Sequence, residues 1–557
     1  MAFPVLSSFA GYRRDYVVGD VIAGLTLAAI AIPEQMATSK LGGFQPHIGF
    51  YAFIAGTIGF AVFGGNRFLS CGADSTITPI FAGGLALIAT AGSADYQASA
   101  AMLALMVGAI ALVSGIFRLG WIANLLSIPV TTGFLAGISI HILASQLPSV
   151  LGLPSPSGST VNKLIVLAQS LGQTNAWTLA IGLGVFVIIV VSEAISARIP
   201  GALIGLVGAT LAVVLFDLQN RGVPVVGTLP SSAPHIAIDV QALDHLRSLV
   251  PLSLLIAIVV MVQTAATTQS FLSDPDKPAD VDRDFIGAGA GSLLAGLIGA
   301  FPVNASPPRT GIVSETGGRS QLSGLLAAAL VVVILAFGAR LLANVPEAAL
   351  GGVLLFVATR IFRVKQMHTV LRQTFGEFLL IVATAAAIIA LPIEQGVAIG
   401  IILSLLHGLW SMTRSRVIVY DRVPGTTVWW PHNAAHRGEQ EDGIVVAGFQ
   451  APLSFLNASH FRTDLEALVQ SAATKPRLVV IEASGILEVD FTAAQVLIDL
   501  IKSCQRDGIR VVVARLESVR AQQAFARFRI DEVLGRNSVF LSVEQAVKAA
   551  AGEQETG

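Results

Sequence analysis

The stretch FPVNASPPRTGIVSETGGRS, residues 301–320, lies between two apolar runs, GAGAGSLLAGLIGA (287–300) and LSGLLAAALVVVILAFG (322–338). Pro302, Pro307 and Pro308 each lack a backbone donor and clash with the preceding turn, so no continuous helix passes through this point. A guanidinium, Arg309, follows at once. An arginine at the bilayer centre costs about 2.5–3.5 kcal/mol on insertion scales, and it is tolerated where it faces a water-filled cavity or a negative partner. A helix restarting at the prolines would present free N–H groups and about half a positive charge. Broken backbone, a positive helix end and a guanidinium together describe a receptor for an anion. The competing reading makes Arg309 a cytoplasmic-loop residue in a miscounted turn. Asn304, Ser306 and Thr310 add hydrogen-bonding capacity, although each also suits a cap or turn.

The rest of the chain decides that the flanking runs are membrane segments. Of its 557 residues, 54% are hydrophobic and 12% charged, and the mean hydropathy is +0.74. A soluble domain carries about 25% charged residues. Apolar stretches long enough to cross hydrocarbon recur about fourteen times: near 18–38, 48–64, 73–90, 98–117, 128–147, 176–196, 201–216, 249–272, 284–302, 307–317, 322–343, 346–361, 375–391 and 393–414. Counting from a cytoplasmic N-terminus puts Arg13, Arg14, Arg67, Arg118, Arg198, Lys277, Arg283, Arg319, Arg360, Arg363, Lys365, Arg372, Arg414 and Arg416 inside. Only Lys40, Lys163, Arg221, Arg247 and Arg340 fall outside. That asymmetry obeys the positive-inside rule and would scramble if a span were miscounted early. Both ends of the membrane part are expected in the cytoplasm. Pro4 and an Arg pair placed after the first apolar residues argue against a signal peptide. Cys71 and Cys504 lie in regions of different character and suggest no disulfide framework.

From about Val417 the texture changes. VIVYDRVPGTTVWWPHNAAHRGEQEDG reads as a polar linker with enough Trp and Val to pack on something. GIVVAGFQAPLSF reads as a strand pair, NASHFRTDLEALVQSAA as an amphipathic helix and PRLVVIEAS as a buried strand. FTAAQVLIDLIKSCQRDG reads as a helix ending at Gly508, IRVVVARL as a strand, and SVRAQQAFARF and SVEQAVKAAAG as helices. Alternating strands and helices over roughly 110 residues describe a small α/β domain. The expected organisation is a membrane domain over 1–416, a linker over 417–442 and the α/β domain over 443–552.

The membrane part echoes itself. VVGDVIAGLTLAAIAIPEQMA (17–37) opens a first half and LVPLSLLIAIVVMVQTAATTQ (249–269) a second; two segments on, LSCGADSTITPIF (69–81) answers FPVNASPPRTGIV (301–313). Interrupted short segments at matching positions of two halves point to a transporter's substrate site.

DVIAGLTLAAIAIPEQMA, FGGNRFLSCGADSTITP, FPVNASPPRTGIVSETGGRSQLSGL and RVPGTTVW, followed by the α/β domain, resemble in order the motifs of the sulfate permease (SulP) anion transporters with their C-terminal STAS domain. The resemblance covers roughly residues 13–550. It implies an α-helical integral membrane protein with seven spans repeated in inverted topology as a core and a gate domain, then a small cytosolic STAS domain. The implied activity is secondary transport of a small anion of the sulfate, bicarbonate, chloride or dicarboxylate class by an alternating-access, elevator-like mechanism. A bacterial inner-membrane location, a homodimer and a cytosolic protein partner for the STAS domain are implied in the same way.

The resemblance carries Arg309 to the anion site. Facing it, Ala73, Asp74, Ser75 and Thr76 would start the third helix. Asp74 is a departure from the family, where that start is usually apolar, and its plain reading is an N-cap or first-turn acid. Glu34 in IPEQMA departs where relatives commonly have glutamine, and Gln263 where many carry a carboxylate. The expected site is Arg309, Glu34, Gln35, Asp74, Ser75, Gln263, Ser306 and Thr310. With both acids ionised it is formally negative, so Glu34 or Asp74 is expected to take up a proton, or Na⁺, with the anion; alternatively Asp74 pairs with Arg309 until substrate displaces it. His141, Gln146, Glu193 and His407 read as helix–helix hydrogen-bonding groups. No spacing suggests a metal site, a cofactor, a nucleic-acid surface or an enzyme's nucleophile and base. In the STAS-like part, the phospho-acceptor position of anti-sigma-factor antagonists falls on Phe491, which leaves Asp490 and Thr492 at the helix start. The alternatives are a nucleobase-type transporter of the same architecture and a passive anion channel or scaffold.

Overall fold

The structure is a computed structural model of the chain that describes residues 5–9, 12–121, 127–154, 156, 159–196, 199–227, 245–272, 279–337, 342–413, 415–432, 438–472 and 474–552. Arg198, Lys277, Arg340 and Arg414 of the charge count lie outside the described residues. The chain forms two compact units, Met1–Leu405 and Leu406–Gly557.

Every predicted membrane segment meets a helix or a strand–helix break. In order these are α1 (Val17–Leu41), α2 (Pro46–Phe63), β1 (Cys71–Gly72), α3 (Thr78–Ala86), α4 (Ala94–Ile116), α5 (Ile128–Leu151), α6 (Thr160–Ser170), α7 (Ala176–Ile195) and α8 (Gly201–Leu215). Then follow α9 (Leu246–Ser270), α10 (Val281–Leu297), β2 (Asn304–Ala305), α11 (Pro307–Glu315), α12 (Leu322–Phe337), α13 (Glu347–Ile361), α14 (Val364–Gln373), α15 (Phe375–Ala390) and α16 (Ile393–Thr413). Helices α6 and α14 are additions to the expected list: they are short and amphipathic, and a search for membrane-length apolar runs passes over them.

The packing repeats under exchange of halves. Helix α4 lies on α10 as α12 lies on α2, and α1 lies on α12 as α9 lies on α4. In the same way α5 lies on α15 as α13 lies on α7. One bundle thus contains α1–α4 with α9–α12, the other α5, α7, α8, α13 and α15, and α1 touches α8 and α13 across the seam. The GAGAG run explains the closest crossings. A β-carbon on Gly59 of α2 would sit 2.3 Å from the Gly291 nitrogen, and one on Gly289 would sit 2.7 Å from the Leu112 nitrogen of α4. Gly287 and Gly291 thus face α2 while Gly289 faces α4. Without a hydrophobic drive between helices in lipid, such small-residue seams supply the packing.

Polar contacts agree with the alternating count of spans. Lys40 pairs with Glu347, and Glu193 with Arg360. Asp20 accepts from the Arg319 and Ser320 N–H groups at 2.6 and 3.1 Å, and the Arg283 Nε donates to the Phe63 carbonyl at 3.4 Å. Each contact joins ends that the count assigns to one side.

In the second unit, β3 (Val417–Arg422), β4 (Trp429–Pro431), β5 (Ile444–Phe449), β6 (Leu478–Glu482), β7 (Arg510–Ala514) and β8 (Val539–Phe540) form a sheet of order β4-β3-β5-β6-β7-β8. Strands β5 to β8 are parallel, and β3 is antiparallel to both its neighbours. Helices α17 (Ala458–Ser471), α18 (Phe491–Arg506), α19 (Val519–Arg527) and α20 (Ile530–Leu534) share one core with the Val479, Ile481, Val511 and Val513 face. Helix α21 (Val543–Gly552) joins the Val446, Val480 and Val512 face. The period of two along each strand thus feeds two apolar layers.

Two expectations for this unit do not hold. The stretch taken as a linker, 417–442, contributes β3 and β4 to the sheet, and buried Trp429 donates its indole N–H to Glu544 of α21 at 3.1 Å. The supposed strand pair 443–455 is one strand, β5; beyond it Pro452 has no N–H for a ladder, and Leu453 keeps a lone bridge to Val489. At the start of α18, Asp490 accepts from the Ala493 N–H at 2.8 Å and the Phe455 N–H at 2.7 Å, while Phe491 is 65% exposed.

Candidate functional site

The two broken segments meet as an antiparallel crossing in which Cys71 pairs with Ala305 and Gly72 with Asn304. Non-helical backbone at membrane depth must find partners inside the protein, and side chains from both halves supply them. Gln35 clamps Ala73, its Oε1 accepting from the Ala73 N–H at 2.8 Å and its Nε2 donating to the Ala73 carbonyl at 3.1 Å. The Thr310 hydroxyl accepts from the Ser70 N–H at 3.1 Å and donates to the Ser306 carbonyl at 2.8 Å. The Ser306 N–H donates to the Ser70 carbonyl at 3.0 Å. Gln35 and Thr310, expected as ligands, are therefore committed to the backbone.

Arg309 lies in the first turns of α11 and is wholly buried. Its Nη1 donates to Glu34 Oε1 at 2.9 Å and to the Ala73 carbonyl at 3.1 Å. Its Nε and Nη2 have no partner among the described residues. Leaving buried donors of a charged group idle is costly, so the guanidinium retains unused capacity for an acceptor. The expected alternative pairing with Asp74 does not occur: the acid on Arg309 is Glu34, from α1. Asp74 accepts instead from the backbone N–H of Thr76 at 2.9 Å and from the Thr76 hydroxyl, and it has no basic partner among the described residues. Thr76 also meets Gln263 Oε1 at 2.8 Å, and Asn304 Nδ2 donates to that same oxygen. One chain of hydrogen bonds thus links α9 to both breaks. Helix α3 begins at Thr78, later than the sequence suggested, because Asp74 to Ile77 form a turn whose first carbonyl accepts from the Thr78 N–H at 3.1 Å.

A cavity of about 420 Å³ opens beside this crossing. Glu34, Asp74, Ser75, Thr76, Gln263 and Ser306 line it from the side of the crossing. Leu135, Ile189, Val353 and Phe356 add apolar lining, and Glu193, Glu315, Arg360 and Arg363 add charged lining. Arg309, Gln35 and Thr310 are not on its surface. Glu34, with 13% of its side chain exposed, stands between the cavity and the guanidinium. Glu193, read from the sequence as a helix–helix polar contact, does join α7 to α13 through Arg360, but its place on the cavity lining was not foreseen. Both sit in apolar helices of the second bundle, and the signal was there: a lone acid and a lone base at matching ends of α7 and α13.

Comparison with known proteins follows the same architecture. Residues 17–384 match the model of the sulfate permease family, and residues 437–546 match that of the STAS domain. A probable sulfate transporter of Mycobacterium tuberculosis, MT1781, is 31% identical over 98% of this chain and 97% of its own. A putative sulfate transporter of Bacillus subtilis, YvdB, is 24% identical over 92% of this chain and 93% of its own. Among solved structures, SLC26A9 superposes with a TM-score of 0.90 at 20% identity, covering 99% of this chain and 93% of the other. The transmembrane domain of a cyanobacterial bicarbonate transporter, BicA, gives 0.61 at 21% identity, covering 71% and 97%.

Proposed function

The chain belongs to the sulfate permease family of membrane anion transporters and ends in a STAS domain, and from that premise we propose that it moves a small anion by proton-coupled secondary transport. The observation that carries the reading is Arg309: a buried guanidinium at the crossing of two broken segments, with two idle donors and a carboxylate, Glu34, between it and the cavity. A proton taken up by Glu34 releases Arg309 to an anion. A proton taken up by Asp74 removes from the cavity wall a negative charge that has no basic partner among the described residues. Either event converts a repelling site into an attracting one, and only differential binding of this kind couples two solutes. Na⁺ at the same carboxylates is the second candidate for the coupling ion.

Ser75, Thr76, Gln263 and Ser306 supply neutral hydrogen bonds around the anion, and Gln35 and Thr310 hold the backbone that presents them. The cargo is of the sulfate, bicarbonate, chloride or dicarboxylate class. The N-terminus and the STAS domain are assigned to the cytoplasm of a bacterial inner membrane, so that the cavity opens inward. A homodimer and a protein partner of the STAS domain belong to the same reading.

The test is uptake by the purified protein in liposomes. Labelled sulfate, bicarbonate, chloride and a dicarboxylate are offered with and without an inward proton gradient, beside Arg309→Ala, Glu34→Gln and Asp74→Asn. Proton-stimulated uptake of one anion, lost with Arg309 and uncoupled from pH in one of the acid variants, is expected. Uptake indifferent to the gradient and to Arg309 would discard this account of the site. Counterflow excludes a channel, which shows no trans-stimulated exchange.

A further inference from the structure

Helix α14, Val364–Gln373, lies outside the transport site and presents an unusual surface. It is joined to α13 by Phe362 and Arg363 and to α15 by Thr374 alone, so it stays at the level where those two apolar helices end. None of its residues is buried. Met367 and Val370 are half-covered, whereas Val364 and Leu371 are 62% and 39% exposed. Residues seven apart on a helix lie within about 20° of each other, so these two form one apolar stripe. Lys365 and Arg372, also seven apart and both exposed, form a basic stripe beside it, with exposed His368 between. From Ala348 to Gly376 the sequence contains no Asp or Glu. Water is a poor solvent for the first stripe, and this stretch supplies no acid for the second. The boundary of an anionic leaflet satisfies both, with acyl chain against Val364 and Leu371 and phosphate against Lys365 and Arg372.

We propose that α14 is a docking surface for anionic lipid headgroups. Its occupant is the bilayer itself, because the helix is tethered on both sides to membrane-length helices and its charge is complementary to acidic phospholipid. Arg363, immediately before α14, lines the cavity, so the lipid-binding helix begins one residue from the cavity's lining.

The experiment uses the full chain carrying a fluorophore on a cysteine introduced at exposed Thr369; the native Cys71 and Cys504 are both buried. The protein is reconstituted in phosphatidylcholine vesicles with increasing fractions of brominated phosphatidylglycerol or, separately, brominated phosphatidylcholine. Phosphatidylglycerol is expected to quench at the lower mole fraction. Each basic residue near the surface is worth about 1 kcal/mol, or about fivefold, so K365Q/R372Q should remove roughly a twenty-fivefold preference. K365R/R372K should keep it and shows that the helix is intact. Equal quenching by the two lipids, no quenching by either because protein covers the face, a preference that survives K365Q/R372Q, or one lost in K365R/R372K would each overturn the proposal.

Discussion

Replacing Glu34 with alanine tests the central pair most directly. Arg309 is wholly buried, its bond to Glu34 measures 2.9 Å, and two of its nitrogens already lack partners. Removing one member of a buried pair costs about 3–5 kcal/mol, because the remaining charge is left uncompensated. Glu34→Ala should therefore melt well below the parent when no anion is present. An anion that enters the vacated space no longer competes with a resident carboxylate. A hydrogen bond to a charged group is worth about 1.5–3 kcal/mol, so the variant should bind the cargo roughly ten- to a hundredfold more tightly. At a hundred times its dissociation constant, a ligand stabilises by about 2.7 kcal/mol, enough to restore most of the loss. The assay is thermal unfolding of purified protein over a titration of sulfate, bicarbonate, chloride and a dicarboxylate. The parent should respond weakly, Glu34→Ala strongly, and the double variant with Arg309→Ala not at all. A single variant as stable as the parent without anion, or one that no anion rescues, would refute the view that Glu34 holds the place of the cargo.

The Lys40–Glu347 pair ties α1 to α13 on the side away from the Glu193–Arg360 pair. Because it is about one-third exposed, Lys40→Glu should shift access towards that side by a modest factor, about fivefold at most. Labelling of a cysteine introduced there reads the shift, and adding Glu347→Lys should reverse it. Gly59→Ala would put a β-carbon 2.3 Å from the Gly291 nitrogen, a backbone atom that cannot swing aside. A loss of about 1–3 kcal/mol should appear as a lower melting temperature, with Gly184→Ala, which has open space around it, as the neutral comparison. In the second unit, burial alone would raise the Asp421 carboxyl, but hydrogen bonds from His432, Gln440 and the Gly438 N–H hold it below its ordinary value. A depressed folded value stabilises above the unfolded pKa of about 3.9 and is lost as pH falls through the folded one. Tryptophan emission should report acid loosening of β3 and β4 below about pH 4, flatter in Asp421→Asn.

What was legible follows from which forces act locally. Hydrocarbon demands some twenty apolar residues per helix, so the membrane segments stand out, and prolines at 302, 307 and 308 announce a break without reference to anything distant. The partner of Arg309 was not legible. Glu34 is 275 positions away, and only the crossing of the inverted halves decides that it, rather than the nearer-looking Asp74, reaches the guanidinium. Gln35 and Gln263 illustrate the same limit, since composition cannot tell a glutamine that satisfies backbone from one that faces a cavity. Strands β3 and β4 escaped because a turn, VPGTT, splits a short edge hairpin whose third partner, β5, begins more than twenty residues after β3 starts. Helix α14 escaped because its signal is a pair of narrow stripes rather than a run.

The crossing of β1 with β2 also sets a schedule for synthesis. Cys71 and Gly72 wait for Ala305 and Asn304, more than two hundred residues later in the chain. At about 5–20 residues per second, the first break must spend some ten seconds or more in or near the bilayer before its backbone partner exists. During that interval Gln35 is already made, since it precedes the break, and its amide can occupy the Ala73 N–H and carbonyl without help from the second half. A glutamine that looks like part of a binding site thereby becomes a temporary splint for the nascent chain.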